Sequence, residues 1–174
     1  MDMRPALFLD RDGVLNVDKG YVARVEDLDW IDGAFECVAR FKARGWFVFI
    51  VTNQTGIARG LYTLDDMQAV HGHLRETFSA RGAQIDAIYH CADHPDGTVP
   101  AYARENIDRK PGPGMLLRAM ADFPVKREAS FLIGDKQTDI AAAHAAGVGG
   151  FLFQGGNIAD FAEWALAAFE DGSR

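Results

Sequence analysis

Cysteine is scarce in this chain, with only Cys37 and Cys91 among 174 residues. Two are too few for a disulfide scaffold, and nothing calls for an oxidising compartment. Cys37 sits among Phe35, Val38 and Phe41 at helical spacing and reads as a small buried residue. Long apolar runs are missing too. No stretch approaches the roughly 20 residues of a membrane span. The first run, Ala6 to Leu9, ends at an acid after four residues, which does not suit a secretory leader. A basic stripe is also absent. Lys and Arg occur singly or in short pairs, and the formal net charge of −7 argues against a nucleic-acid surface. No internal repeat, linker or low-complexity segment is visible. What remains is 48% hydrophobic and 25% charged, the balance of an ordinary soluble globular protein. The length suits one domain spanning residues 1–174. The expectation is a cytoplasmic monomer with no membrane or nucleic-acid partner.

Short apolar runs alternate with helical patterns. Ala6–Leu9 and Phe47–Val51 are continuous apolar runs, as expected of strands buried on both faces. Strands are also predicted at Ala87–His90, Phe131–Ile133 and Gly150–Phe153. Helices are predicted from Phe35 to a stop at Gly45, over Leu64–Ala80 with Thr63 as N-cap, and over Met115–Ala121, Thr138–Ala146 and Ile158–Phe169. This alternation implies βαβ units in an α/β, doubly wound, Rossmann-like parallel sheet with helices on both faces. Ligands bind such sheets at the carboxyl ends of the strands. Asp10 and Asp12, Thr52 to Gln54, and Asp135 all fall just after a predicted strand.

The residue types there suit phosphoryl chemistry. Asp10-Arg-Asp-Gly13 places two acids and a permissive glycine at a strand end, a natural site for a hard cation. An ionised carboxylate needs no base to attack phosphorus, and a second can pass protons. The bland alternative is a turn with solvated acids. Thr52-Asn53-Gln54-Thr55-Gly56 offers hydroxyl, amide and N–H donors for phosphate, or else is an ordinary hydrogen-bonded loop. Lys110 could neutralise a phosphoryl group and Arg109 could grip a second anion, or the two are plain surface cations. Asp135 could complete a magnesium site. Asp139 either supports that site from behind or merely favours its helix dipole.

In this order the four segments resemble the motif set of the haloacid dehalogenase superfamily. The likeness runs over nearly the whole chain. It is nearest to the family of D-glycero-D-manno-heptose 1,7-bisphosphate 7-phosphatases, through Asp10-Arg-Asp-Gly-Val-Leu-Asn16, Gly20-Tyr-Val22, Thr52 to Gly60, Arg109-Lys-Pro111 and Gly134-Asp-Lys136. Histidinol-phosphate phosphatases are close relatives of that family. The resemblance implies a magnesium-dependent phosphatase with an aspartyl-phosphate intermediate and a small phosphate ester as substrate. Asp10 would be the nucleophile and Asp12 the acid/base. Asp10, the Asp12 carbonyl and Asp135 would hold magnesium, and Thr52 and Lys110 would bind the transferred phosphate. Asp18, Gly20, Tyr21, Asn53, Gln54, Thr55, Arg109 and Lys136 would contact substrate or support the site. About forty residues separate Asp12 from Thr52, too few for a helix, a strand and a separate cap, so a capless core is expected. Histidinol phosphate, another sugar phosphate, or a catalytically retired binding module are the alternatives.

The family pattern breaks in the loop from Cys91 to Asp108. Where the resemblance implies four structural zinc ligands, this chain has Cys91, Asp93, Asn106 and Asp108. Zinc favours thiolate and imidazole, so a metal-free loop is expected. A substitute site built from Cys91, His90, His94 and Asp108 is the other possibility. His71 and His73 are two apart on a helix, face different sides and read as packing or surface residues. Met67, Val70, Leu74 and Phe78 on that helix form a core stripe.

Overall fold

The computed structural model describes residues 2–172. Five strands, β1 (Ala6–Leu9), β2 (Phe47–Asn53), β3 (Ala87–Cys91), β4 (Phe131–Gly134) and β5 (Gly149–Leu152), form one sheet in the order β3-β2-β1-β4-β5. Every neighbouring pair is parallel. The helices are α1 (Ala34–Ala43), the single turn α2 (Thr55–Ala58), α3 (Leu64–Ala80), α4 (Gly114–Asp122), α5 (Gln137–Ala146) and α6 (Ile158–Glu170).

The apolar runs explain the layers. Along β1, Leu7 and Leu9 face one core with α1, α3 and α6, whereas Ala6 and Phe8 face a second core with α4 and α5. The residues of β1 are fully buried on both faces, so they read as unbroken hydrophobic runs rather than alternating ones. Helix α3 begins where expected. Thr63 Oγ1 accepts from Asp66 N at 3.1 Å and Asp66 Oδ2 accepts from Thr63 N at 2.7 Å, a reciprocal cap. Among the described residues no helix is long and apolar enough to cross a membrane.

The sequence places every strand and every long helix. It ends β2 at Val51, two residues short, because polar Thr52 and Asn53 continue the ladder against His90 and Cys91. It misses α2, whose four residues are too few to show a period. Between Asp10 and β2 lie only a 3-10 turn (Val25–Asp27) and α1, and between β2 and β3 only α2 and α3, so no separate cap sheet is inserted. The carboxyl ends of β1, β2 and β4 therefore open directly onto one cavity.

Candidate active site

Four charged side chains converge at the ends of β1 and β4. The Lys110 ammonium is buried, lies 3.1 Å from Asp10 Oδ1, donates to Val51 O at 2.8 Å and pairs with Asp139. Asp10 Oδ1 also accepts from Arg11 N at 2.8 Å. Ligand-capable oxygens of Asp10, Asp135 and Asp139 all lie within 4.8 Å of one another. Burial pushes the Asp10 carboxyl up to about 8, Lys110 pulls it back, and Asp139, Asp135 and Asp12 push it higher again. Burial also raises Asp135, against the pull of its hydrogen bond with Asp10. Three clustered carboxylates with one ammonium need a proton or a cation between them. Burial lowers Lys110, but Asp10 and Asp139 outweigh it and hold the ammonium above its ordinary value.

The donor set fits a hard divalent cation. Asp135 Oδ1 is buried with no hydrogen-bond partner. Carboxylate oxygens in this number suit magnesium rather than a thiolate-seeking metal. The turn after β1 closes tightly on this group. Gly13 has φ +87°, and a Cβ there would stand 2.2 Å from Asp135 Oδ2.

Asp12 is gripped from three sides. Arg11 donates through Nε and Nη2 at 3.3 and 3.0 Å to Oδ1, Asn16 Nδ2 donates to the same oxygen at 2.9 Å, and Gln54 Nε2 reaches Oδ2 at 3.2 Å. Gln54 is itself fixed, donating to Thr52 Oγ1 at 2.8 Å and accepting from Tyr62 Oη at 2.5 Å. Asn53 clamps the Lys110 backbone, with its Nδ2 on Lys110 O and its Oδ1 on Lys110 N, each at 3.0 Å.

The cavity above these groups is about 470 Å³ and is walled by Asp10, Asp12, Asp18, Tyr21, Arg59 and Arg109 among others. Lys136 Nζ lies 3.5 Å from Asp18 Oδ2. Arg59 Nη1 donates to Tyr21 Oη at 2.8 Å, and Arg109 Nη1 donates to Thr55 Oγ1 at 2.7 Å. Burial draws the Arg109 guanidinium below its usual value, and the like charge of Arg59 acts in the same direction. Among the described residues neither guanidinium has a carboxylate at ion-pair distance.

A family model described as HAD-hydrolase-like matches residues 107–167. The D-glycero-beta-D-manno-heptose-1,7-bisphosphate 7-phosphatase of Rhodopseudomonas palustris is 44% identical over 163 residues, covering 94% of this chain and 91% of that one. The chain belongs to this phosphatase family of the haloacid dehalogenase superfamily. A Burkholderia mallei relative, named for the alpha form of the same bisphosphate, is 46% identical over 144 residues, covering 83% of this chain and 76% of its own. The crystal structure of D,D-heptose 1,7-bisphosphate phosphatase from B. bronchiseptica, complexed with magnesium and phosphate, superposes with a TM-score of 0.83. It is 28% identical and covers 94% of this chain and 98% of that one. As a member of the family, the protein is a phosphoric monoester hydrolase.

In this phosphatase the sequence-predicted residues Asp10, Asp12, Asp18, Gly20, Tyr21, Asn53, Gln54, Thr55, Arg109, Lys110, Lys136 and Asp139 all line one cavity. Thr52 does not line it. It is wholly buried, and its hydroxyl accepts from Gln54. Asp135 lies against Gly13, beside the cavity rather than in its wall. Asp139 engages both the helix start and the buried ammonium. Its Oδ2 accepts from Lys136 N at 3.0 Å at the start of α5, and its Oδ1 faces Lys110. Five contributors escaped sequence reasoning: Arg11 and Asn16, which hold Asp12, and Arg59, Tyr62 and His71. Arg59 and Tyr62 lay inside or just beyond the Thr52–Gly60 motif, with no local signal that they point inward. His71 is 8% exposed and meets Arg11, while His73 is exposed against Thr77, so the two do face different sides.

Proposed function

We propose that the protein is a magnesium-dependent phosphatase that removes the 7-phosphate of D-glycero-D-manno-heptose 1,7-bisphosphate through an aspartyl-phosphate on Asp10. One observation carries this reading. A single cavity is walled both by the Asp10–Lys110 pair and by two guanidiniums, Arg59 and Arg109, that among the described residues have no carboxylate at ion-pair distance. The first arrangement suits the phosphoryl group that reacts, and the second suits a phosphate that stays. The names borne by the 41–46% identical relatives point to the same substrate.

Asp10 attacks phosphorus through a carboxylate oxygen. The P–O bond to the leaving alcohol breaks, and Asp12 gives that oxygen its proton. Water then attacks the aspartyl-phosphate, Asp12 takes a proton from it, inorganic phosphate leaves and Asp10 is restored. Lys110 faces Asp10 and offsets charge on the phosphoryl oxygens. Asp10, Asp135 and the Asp12 carbonyl would hold magnesium, which supplies further charge neutralisation. Asn53, Gln54 and Thr52 act chiefly by holding Lys110 and Asp12 in place. Asp18, Gly20, Tyr21, Thr55 and Lys136 border the bound sugar.

Histidinol phosphate fits less well, because its amine needs a free acid and Asp18 is already opposite Lys136. A retired binding module would not need to keep Asp10, Asp12, Lys110 and Asp135 together. The Cys91–Asp108 loop is read as zinc-free and the enzyme as a single-domain cytoplasmic monomer. The deciding experiment is phosphate release with magnesium from both heptose bisphosphate anomers, other sugar bisphosphates, sugar monophosphates and histidinol phosphate. The expected outcome is a kcat/KM at least about tenfold higher for the heptose bisphosphate. A preference for any monophosphate refutes the assignment.

A further inference from the structure

We propose that His71, on the buried side of α3, is a positioning residue for the proton-transfer carboxylate Asp12 and acts through the guanidinium of Arg11. The proposal rests on the reading of Asp12 as acid/base given above.

Among the described residues Arg11 is the largest fully buried side chain. It cannot shed its charge and has no acceptor atom of its own, so each N–H needs a partner. The partners are few. Nε and Nη2 hold Asp12, Nη2 also donates to Val22 O at 3.2 Å, and Nη1 lies 3.1 Å from His71 Nε2. Arginine only donates, so Nε2 must be the unprotonated nitrogen and the ring neutral, with its proton on Nδ1. Burial and the charge of Arg11 hold His71 in that form, lowering it to about 3.

The geometry gives His71 a specific task. Arg11 and Asp12 are neighbours in the chain, yet the guanidinium folds back to within 3.0 Å of the carboxylate. The acceptor at Nη1 and Val22 O at Nη2 together fix the guanidinium plane at the end of its long stem. If the acceptor at Nη1 is lost, one side of the fork is left unpartnered and its grip on Asp12 loosens, while the Asn16 and Gln54 contacts remain. The ring stands on a helix whose other inward residues, Met67, Val70, Leu74 and Phe78, are apolar. A hydrophobic side chain at 71 would therefore suit packing, and the polar one needs another explanation. That explanation lies 60 residues away in the sequence.

The leaving group separates positioning from support. An alkyl phosphate needs its alkoxide protonated as the P–O bond breaks, whereas p-nitrophenolate leaves unaided. The ratio kcat/KM covers steps up to that departure. His71→Leu, which fills the space without an acceptor, should lower kcat/KM for the alkyl ester at least about tenfold while leaving p-nitrophenyl phosphate within about twofold. His71→Gln, which keeps an acceptor oxygen, should recover most of the loss. Equal losses on both esters, whether from distortion or from unfolding, overturn the proposal, as does a leucine variant that behaves like wild type. Asp12→Asn is the separate control. If it fails to discriminate between the esters, the acid/base reading itself is wrong, whatever His71 does.

Discussion

Asp10 is buried, with three carboxylates and one ammonium acting on it. Replacing it separates chemistry from binding. Asp10→Asn should lower magnesium-dependent phosphate release by about a thousandfold or more, while Arg109→Ala should keep turnover of a monophosphate ester and raise KM for the bisphosphate by about tenfold or more, the worth of one charge-assisted contact. Steady-state kinetics on both substrates checks the pair. An asparagine variant near wild type would remove the nucleophile assignment, and equal KM changes on the two esters would remove the second anion site. Asp10, Asp12, Thr52 to Gln54 and Asp135 could be read from the sequence because they follow predicted strands, whereas Arg109 and Lys110 were legible only as a basic pair at the end of a long loop. Asp12's supports were not legible, because Arg11, Asn16, Gln54 and His71 meet only after the chain has folded. Asn53 was legible as a site residue but not as a clamp, since its bonding to Lys110 crosses 57 residues.

The loop from Cys91 to Asp108 shows how an element can be rebuilt around different chemistry. Asp93 is 3% exposed, and its Oδ2 accepts from Asn106 Nδ2 and Arg104 Nε, each at 2.8 Å. The Cys91 thiol points at Asp93 O at 3.9 Å, and Asn106 Oδ1 accepts from Asp108 N at 2.8 Å. Cys91, Asp93 and Asn106 are thus engaged with one another or with the loop backbone, and the Asp108 carboxylate pairs with Arg118 of α4. Purified protein should contain well under one equivalent of zinc, and Asp93→Ala should lower stability by about 1–3 kcal/mol, chiefly by stranding the Asn106 amide. Metal analysis and urea unfolding test the two halves, and a full, tightly held equivalent of zinc refutes the hydrogen-bonded loop. The sequence disclosed which ligands were missing, but not that Asp93 would take their place as a hub. A single acid in a polar loop gives no sign of its burial. By contrast, the long helices were legible throughout, because their caps and apolar stripes are local.

At the scale of the whole molecule, stability should carry the signature of the histidine beneath the site. Burial lowers His71 to about 3, with Arg11, His90 and Arg75 acting in the same direction. In the unfolded chain it would titrate near 6.5. The unfolded state therefore takes up a proton first as pH falls, so this contribution is complete above pH 6.5 and is lost on acidification towards pH 3. The stability advantage of wild type over His71→Gln should shrink by about 1.4 kcal/mol per pH unit below 6.5, or about 2 kcal/mol at pH 5. Paired urea melts at pH 7.5 and pH 5 measure it, and a difference that does not change with pH contradicts the buried neutral ring. The global topology was the easiest part to foresee, since strand and helix alternate without interruption and parallel sheets leave few alternatives.

The order of the strands has one more consequence, for the making of the protein. Asp10 is synthesised early, Lys110 late and Asp135 later still, yet β1 lies between β2 and β4 in the finished sheet. A growing chain can pair β1 with β2 before β4 exists, but Asp10, the nucleophile proposed above, then lacks both the ammonium and the last carboxylate. On that assignment phosphate transfer waits for the fourth strand to dock, and a truncated or stalled product should be inert towards phosphate esters.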